Sequence, residues 1–284
     1  MWLTLATPRL ELKLGLEELA KVKIHEEIIP ELLDALVREI SSDGEMRHPV
    51  IVDASTLVVL DGMHRVAALR ELGCSYLPVC LVDYRNPHVH VGSWYRSVRG
   101  EATPAELLEA MTSLGLEAIS SSLEEALQAL DERSASFALL TQEGCHLLKG
   151  EGQSIRASYA WIKRAEDVLR ARGLEVDYEV ERDARRMADS GEVIAALATP
   201  RARKEEVIAA GLRGEPFPHK TTRHVLPARP MRADVPLEWL LGGRPLREAN
   251  ELLVRRLSER RVRRLPGGSE FEGRRYEEEL WVFE

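Results

Sequence analysis

The clearest pattern of hydrophobic and polar positions lies in the first third of the chain. Residues 57–60 are consecutive and apolar, which is typical of a buried strand. After a short polar segment, apolar residues recur at helical spacing at Val66, Leu69 and Leu72, and Gly73 follows them. Glycine is common where a helix ends and the backbone turns left-handed. The pattern therefore predicts a strand, a tight turn and a short helix.

The neighbouring segments also show patterns typical of strands and helices. Apolar and polar residues alternate over residues 19–24, which predicts a strand that leads into a turn at His25 and Glu26. Pro30 suits the first position of a helix, and the apolar stripe that follows it ends before Gly44. Further strands are predicted over residues 48–53, 76–84 and 89–98. We expect residues 1–100 to form a domain of their own.

From Pro104 onward, helical patterns alternate with short apolar runs. The predicted strands are residues 137–141, 145–148 and 193–197. The predicted helices are residues 106–114, 123–130, 159–172, 183–190 and 204–210, with a further helical segment from Leu246. This order predicts an α/β second domain over residues 101–245 and a C-terminal extension over residues 246–284.

Composition narrows the class of protein. The chain has 284 residues, 44% of them hydrophobic and 30% charged, which allows a substantial core under a charge-rich surface. No apolar run approaches the ~20 residues that cross a bilayer, and the first residues lack the pattern of a signal peptide. Three cysteines are too few and too scattered for a disulfide framework or a zinc cluster. We therefore expect a cytoplasmic protein.

The net charge of −8 disfavours general affinity for nucleic acids. One basic run, between Arg255 and Arg264, departs from this balance. Such runs are usually solvated helix faces, and the acidic residues 277–279 are available to balance this one. Binding of DNA or RNA by the run is the alternative.

Three polar side chains fall at the predicted turn: Asp61, His64 and Arg65. The first N–H groups of a helix have no intrahelical partner and carry partial positive charge, so a neighbouring arginine completes a site for phosphate. The alternative is an ordinary strand–helix turn with a solvated polar tip. Glu26 and Glu27 also lie near a helix start, where the simplest interpretation is that they complement the helix dipole.

A second polar segment is bounded by prolines at both ends. It contains three cationic or titratable side chains and two hydroxyls, which are Lys220, Thr221, Thr222, Arg223 and His224. Ordering so many donors is costly unless they bind an anion. We therefore expect an anion-binding loop here, in preference to a solvated one.

Three separated motifs carry a family resemblance. They are His25-Glu26, the Asp-Gly-Met-His-Arg turn at residues 61–65, and the Lys-Thr-Thr-Arg-His loop with the Val-Leu-Pro that follows it. The first two, with the His-Pro-Val-Ile-Val strand between them, resemble the ParB/sulfiredoxin-like nucleotide-binding fold. With the third, the chain resembles the archaeal free L-serine kinases of that superfamily, from about Val22 to Leu240. The resemblance implies an α+β fold, with the nucleotide-binding domain at residues 1–100 and substrate binding in residues 101–245.

The resemblance also implies roles for single residues. Glu26 matches the family's catalytic glutamate, and Asp61 and His64 match positions that contact the phosphates, the metal or the transferred group, with Asp61 as the metal ligand. Nucleotide binding is implied for Gly62, Met63, His64 and Arg65. Substrate binding is implied for Trp94, Lys220, Thr221, Thr222, Arg223 and His224. The implied cofactor is Mg²⁺, and the implied phosphoryl donor is ATP or ADP.

One residue departs from the family pattern, because Met63 replaces the first histidine of an Asp-Gly-His-His-Arg turn. The same position holds a cysteine in sulfiredoxins, and a thioether forms no thiolate adduct, which excludes that repair activity. Phosphoryl transfer requires charge neutralisation, in-line placement and a base, and the implied residues supply these. We therefore predict a kinase that makes O-phospho-L-serine from free L-serine and feeds cysteine or related biosynthesis.

Two other functions remain as alternatives. One is a ParB-like protein that binds DNA in a nucleotide-dependent way, which the arginine-rich run favours and the acidic balance disfavours. The other is a non-catalytic sensor of nucleotides or amino acids on the same fold, which the presence of Glu26 disfavours. We expect a nucleotide and free L-serine as partners, and no membrane.

Overall fold

The computed structural model describes all residues from Met1 to Glu284 and shows a mixed α/β protein. Its helices are α1 (Pro30–Asp43), α2 (Met63–Glu71), α3 (Pro104–Ser113), α4 (Leu123–Asp131), α5 (Ile155–Ala171), α6 (Glu181–Ser190), α7 (Lys204–Arg213), α8 (Leu237–Leu240) and α9 (Leu246–Glu259). None of them has both the length and the apolar character needed to cross a membrane.

The strands up to residue 121 are β1 (Leu3–Ala6), β2 (Glu11–Glu18), β3 (Glu45–Met46), β4 (Val50–Asp53), β5 (Val59–Asp61), β6 (Tyr76–Val82), β7 (His90–Gly92), β8 (Trp94–Arg99) and β9 (Glu117–Ser121). The later strands are β10 (Phe137–Thr141), β11 (Gly144–Lys149), β12 (Glu175–Val180), β13 (Ala195–Ala198), β14 (Arg223–Val225), β15 (Ala228–Met231), β16 (Val235–Pro236), β17 (Val262–Leu265), β18 (Glu270–Phe271), β19 (Arg274–Arg275) and β20 (Glu279–Phe283).

The chain divides into two compact units. The first contains residues 1–90, 204–216 and 224–284, and the second contains residues 91–203 and 217–223. These bounds differ from the predicted divisions at residues 100 and 245. The difference has a physical basis, because β8 pairs with β12 and β13 of the second unit. Helix α9 packs against β2, and β20 pairs with β15, so the predicted C-terminal extension belongs to the first unit.

The first unit is built on a five-stranded sheet in the order β1-β2-β6-β4-β5. Strand β6 pairs antiparallel with β2 and parallel with β4, and β4 pairs antiparallel with β5. The central strands are buried because they consist almost wholly of β-branched and other apolar residues. The predicted strand, turn and helix around residue 61 are confirmed as β5, Gly62 and α2.

The strand predicted over residues 19–24 is wrong. Leu19–Lys21 form a 3₁₀ turn, and Leu19 and Val22, three residues apart, are the buried positions. The strand lies earlier, as β2, where Leu12, Leu14 and Leu16 alternate inward. The helix predicted from Pro30 is confirmed as α1, which ends at Gly44 in the left-handed conformation.

The second unit contains an antiparallel six-stranded sheet in the order β12-β8-β13-β10-β11-β9. Helices α4 and α6 pack their alanines, Leu130 and Met187 against one face of it. The predicted strand pair at residues 137–141 and 145–148 is confirmed as β10 and β11. The single strand predicted over residues 89–98 is two strands, β7 and β8, separated by the buried Ser93.

Candidate functional site

Gly62 shapes the turn between β5 and α2. Its φ of 101° is accessible to glycine and strained for other residues, and a Cβ there would lie 2.8 Å from the guanidinium of Arg65. Arg65 folds back over this space and donates from Nη1 to the backbone oxygens of His48 and Pro49, at 3.1 and 2.8 Å. The absence of a side chain at Gly62 therefore lets Arg65 tie the turn to the segment before β4.

Asp61, the last residue of β5, lies between two arginines. Its Oδ2 accepts from Nη2 of Arg65 and from Nη1 of Arg229, each at 2.6 Å. Nε of Arg229 in turn donates to Oε1 of Glu278 at 2.7 Å. Burial alone raises the pKa of Asp61, but the charges of Arg229 and Arg65 outweigh it and hold this pKa well below its usual value. Asp61 is therefore an ionised carboxylate.

Glu26 is buried and lies beside the same turn. Residue Lys23 bridges to Val58 in parallel, next to β5, which brings the following residues towards the turn. Glu26 is 6% exposed, and its Oε1 lies 4.0 Å from Nε2 of His25. The backbone N–H of Ile29 donates to Nε2 of His64 at 2.9 Å. This bond fastens the segment that carries Glu26 to the first turn of α2.

Two buried histidines, His25 and His224, lie close to each other, and His25 lies beside Glu26. Nδ1 of His25 lies 2.6 Å from the backbone oxygen of Val59, and its ring meets that of His224 edge-on, with centroids 5.4 Å apart. Nε2 of His224 lies 2.8 Å from the hydroxyl of Tyr84. Burial lowers the pKa of His25 to about 4 and that of His224 well below its usual value. Both rings are therefore neutral at physiological pH.

In the second unit, the ammonium group of Lys220 lies over the ring of Trp94. Nε1 of Trp94 donates to the backbone oxygen of Thr222 at 3.1 Å, and Nζ of Lys220 lies 4.4 Å from the centre of the Trp94 ring. This is the geometry of a cation–π contact. Lys220 has a φ of 60°, which a lysine adopts only where its surroundings hold it.

The buried side chain of Arg96 holds the backbone at Trp94 and at Lys220. Its side chain is 2% exposed and donates from Nε to Oε1 of Glu166 at 2.6 Å, while Nη1 donates to the backbone oxygens of Trp94 and Lys220. The hydroxyl of Tyr159 donates to the backbone oxygen of Thr221 at 2.9 Å. Burial raises the pKa of Glu166, but the contacts with Arg96 and Arg170 outweigh burial and hold this pKa below its usual value. Glu166 and Arg96 therefore form an ion pair.

Comparison with known proteins shows that the chain is similar to L-serine kinases. The chain is 30% identical over 232 residues to the ADP-dependent L-serine kinase SerK of Thermococcus kodakarensis, a match that spans 78% of this chain and 91% of that one. The chain belongs to the L-serine kinase family. It is also 29% identical over 230 residues to the ATP-dependent L-serine kinase of Staphylothermus marinus, covering 78% of this chain and 88% of the relative.

Structural comparison agrees with this family assignment. A free serine kinase variant solved in complex with AMP superimposes with a TM-score of 0.67 at 30% identity, covering 80% of this chain and 93% of that one. A ParB-like protein of Sulfolobus acidocaldarius is 29% identical over 93 residues, covering 33% of this chain and 46% of that one. These matches confirm the predicted fold. No protein-family model matches the chain.

Within this L-serine kinase fold, the predicted site residues fall into two sets. Glu26, residues 61–65 and His224 belong to the first unit, whereas Trp94 and residues 220–223 belong to the second. In the first unit the structure brings the turn, Glu26 and His224 together through His25 and His64. In the second it brings together Trp94, Lys220 and the backbone of Thr222.

Several residues that hold these sets in place were not predicted from the sequence. Arg229, Glu278 and Tyr84 support the first set, and Arg96 and Glu166 support the second. No short motif marks them, because each contact joins residues far apart in the chain. A weak signal existed for Arg229, which follows the Lys-Thr-Thr-Arg-His segment by a few residues.

The donor set restricts how a metal could be held. No group of three or more histidine, cysteine, aspartate or glutamate side chains is arranged to bind a metal ion. Asp61 offers one oxygen, Oδ1, because Oδ2 is engaged by both arginines. Magnesium is commonly bound by one or two carboxylates together with substrate phosphates and water. The residues therefore fit a cation that arrives with the nucleotide.

Proposed function

We propose that this protein transfers the terminal phosphoryl group of a nucleotide, ATP or ADP, to the hydroxyl of free L-serine, giving O-phospho-L-serine. The observation that carries the proposal is the hydrogen bond from Ile29 to His64, which fastens the segment of a buried glutamate to a phosphate-type turn. A base held beside such a turn is the arrangement that phosphoryl transfer to a hydroxyl requires. Family membership supports the same reaction.

In the proposed reaction, the carboxylate of Glu26 takes the proton of the serine hydroxyl. The serine oxygen forms a bond to the terminal phosphorus, and the bond from that phosphorus to the bridging oxygen of the nucleotide breaks, which leaves ADP or AMP. The N–H groups at the start of α2 and the guanidinium of Arg65 stabilise charge on the phosphoryl oxygens. His64 accepts the hydrogen bond from the Glu26 segment, and Asp61 accepts one from Arg65.

Mg²⁺ is part of the proposal as the cation of the bound nucleotide, held by Asp61. When bound it supplies charge neutralisation on the phosphate oxygens. The electrostatics support this role, because Asp61 remains a carboxylate between two guanidinium groups.

We assign the amino-acid substrate to Trp94 and residues 220–224. The ammonium of Lys220 and the planar guanidinium of Arg223 suit the carboxylate of serine or the phosphate of the product. The strained backbone of Lys220 and its support from Arg96 are features of a site held ready for a ligand. His224 lies close to Tyr84 and His25, and we propose it as a further residue for substrate binding.

The ion pairs made by the arginine-rich run favour the kinase over a DNA-binding role. Arg255 pairs with Glu259, Arg260 with Asp234, and Arg263 with Glu284. Arg264 pairs with Glu279 and stacks over Trp281. Arginines already paired within the protein offer less charge to a phosphate backbone. We further propose a cytoplasmic enzyme whose product serves cysteine or related biosynthesis.

Phosphorus NMR of the purified protein with magnesium and free L-serine tests the function, with ATP in one sample and ADP in another. The expected result is an O-phosphoserine resonance, with AMP as the second product if ADP is the donor and ADP if ATP is. A protein that binds the nucleotide but gives no O-phosphoserine in either sample contradicts the proposal and favours the sensor. Salt-sensitive binding of duplex DNA would favour the ParB-like alternative.

A further inference from the structure

Arg229 is a largely buried charged side chain that contacts Asp61 of the predicted turn. It lies in β15, is 8% exposed, and joins two carboxylates: Nη1 to Oδ2 of Asp61 at 2.6 Å and Nε to Oε1 of Glu278 at 2.7 Å. Strand β15 pairs in parallel with β20, and Glu278 immediately precedes β20. The position of Arg229 is therefore set by the last strand of the chain.

The two oxygens of Asp61 have different surroundings. Oδ2 accepts from both Arg65 and Arg229, and neither of these bonds engages Oδ1. The Asp61 side chain is 34% exposed, against 10% for Arg229 and 11% for Glu278. A carboxylate fixed through one oxygen by two guanidinium groups cannot rotate freely, so its other oxygen keeps a constant direction.

We propose that Arg229, oriented by Glu278, is a positioning residue that holds Oδ2 of Asp61, so that Oδ1 is the oxygen presented to the nucleotide phosphates and their cation. This inference rests on the proposed function and extends it to a residue outside the motifs. It predicts that Asp61 binds the cation through a single oxygen. It also gives the C-terminal strand a part in building the nucleotide site.

Direct binding of Mn²⁺ together with ADP, followed by electron paramagnetic resonance in the absence of serine, tests the proposal. Groups that orient a metal ligand typically contribute ~10–100-fold in metal affinity. We expect Arg229→Gln to weaken Mn²⁺·ADP binding by about that factor, and Glu278→Gln to weaken it less, since Arg229 remains. Arg229→Lys keeps the charge but cannot bridge both carboxylates, so it should restore binding only in part.

Loss of Arg229 leaves Glu278 buried without its partner, which lowers stability and so affects binding indirectly. The double variant Arg229→Gln/Glu278→Gln removes both charges. It therefore leaves no unpaired Glu278, and a loss of binding in it is due to the loss of the contact with Asp61. Arg260→Gln is the matched control, because Arg260 is also largely buried, pairs with Asp234 at 3.0 Å and lies in the same unit. It should lower the melting temperature without changing Mn²⁺·ADP affinity.

A folded Arg229→Gln or double variant with the wild-type affinity for Mn²⁺·ADP overturns the proposal, and so does an equal loss in Arg260→Gln. In steady-state assays the expected signature is a higher KM for the nucleotide with little change in the KM for serine. The proposed function is judged separately, by O-phosphoserine formation in the wild type. A wild type that binds Mn²⁺·ADP but phosphorylates nothing contradicts the function and leaves the binding test decisive for Arg229.

Discussion

The side chain of His64 and the backbone of Ile29 are joined by a hydrogen bond in which the imidazole is the acceptor, at 2.9 Å. An accepting Nε2 carries no proton, so His64 is neutral and in the tautomer protonated at Nδ1. The bond joins the start of α2 to the residue that precedes α1. Replacement of His64 should therefore affect the segment that carries Glu26.

We expect His64→Ala to destabilise the protein by about 1 kcal/mol, because it leaves the partly buried N–H of Ile29 without its acceptor. Turnover should fall as well, since the Glu26 segment loses an anchor. His64→Gln can place its side-chain oxygen near the former Nε2 and should recover much of both. Urea unfolding and initial rates measure the two effects, and equal losses in both variants would show that the hydrogen bond is not the anchor.

Glu26→Gln should reduce turnover by ~10²–10⁴-fold, the usual contribution of a general base. The substitution keeps the size of the side chain, so the affinity for nucleotide should change little. Phosphorus NMR measures turnover, and calorimetry measures binding. A decrease of only a few-fold in the Glu26→Gln variant would rule out the base role, and full retention of function would favour a sensor.

Gly62→Ala should weaken nucleotide binding by the turn at residues 61–65, in addition to lowering stability. An alanine there meets the Arg65 guanidinium at 2.8 Å in addition to adopting a strained φ of 101°. Gly44→Ala is the control, because Gly44 has a φ of 67° with no atom near its Cβ position. Each should cost about 1–2 kcal/mol for the backbone, but only Gly62→Ala should weaken nucleotide binding, which fluorescence titration can measure.

Arg96→Ala should cost ~3–5 kcal/mol, because it leaves Glu166 buried without its partner. It should also raise the KM for serine, since the backbone of Lys220 loses a donor. Arg99→Ala provides the comparison on the same strand, where the ion pair with Asp177 is partly exposed and worth less than ~1 kcal/mol. Similar costs for the two substitutions in guanidinium unfolding would contradict the importance of the buried Arg96–Glu166 pair.

Stability should depend on pH through His25. Burial lowers its pKa from 6.5 to about 4 in the folded state, so the unfolded chain binds more protons between these values. The free energy of unfolding should therefore fall as the pH drops from 6.5 to about 4, by about 3 kcal/mol for this residue. His25→Asn should make that slope shallower, whereas substitution of the exposed His90 should not.

The pattern of apolar residues correctly predicted the elements in which the buried positions are those expected from the local sequence. Helix α5 and the β5–α2 turn are examples, because each buries one face or one run of apolar residues. The pattern misplaced the strand near residue 19, where the backbone N–H of Leu19 donates to the distant Ser75, a contact that no local period indicates. The contact between Asp61 and Arg229 joins residues 168 positions apart, so no local period could indicate it.

The way the chain is shared between the two units has a consequence for biosynthesis. Most of the second unit is one continuous segment, residues 91–203, whereas the first unit combines residues 1–90 with the end of the chain. Asn250 of α9 accepts from the backbone N–H of Leu16 at 2.7 Å, so β2 acquires this neighbour late in translation. Because chains emerge from the ribosome N-terminus first, the second unit can fold while the first still waits for its last helix and strands. Until then, the N-terminal sheet lacks the helix that packs against β2.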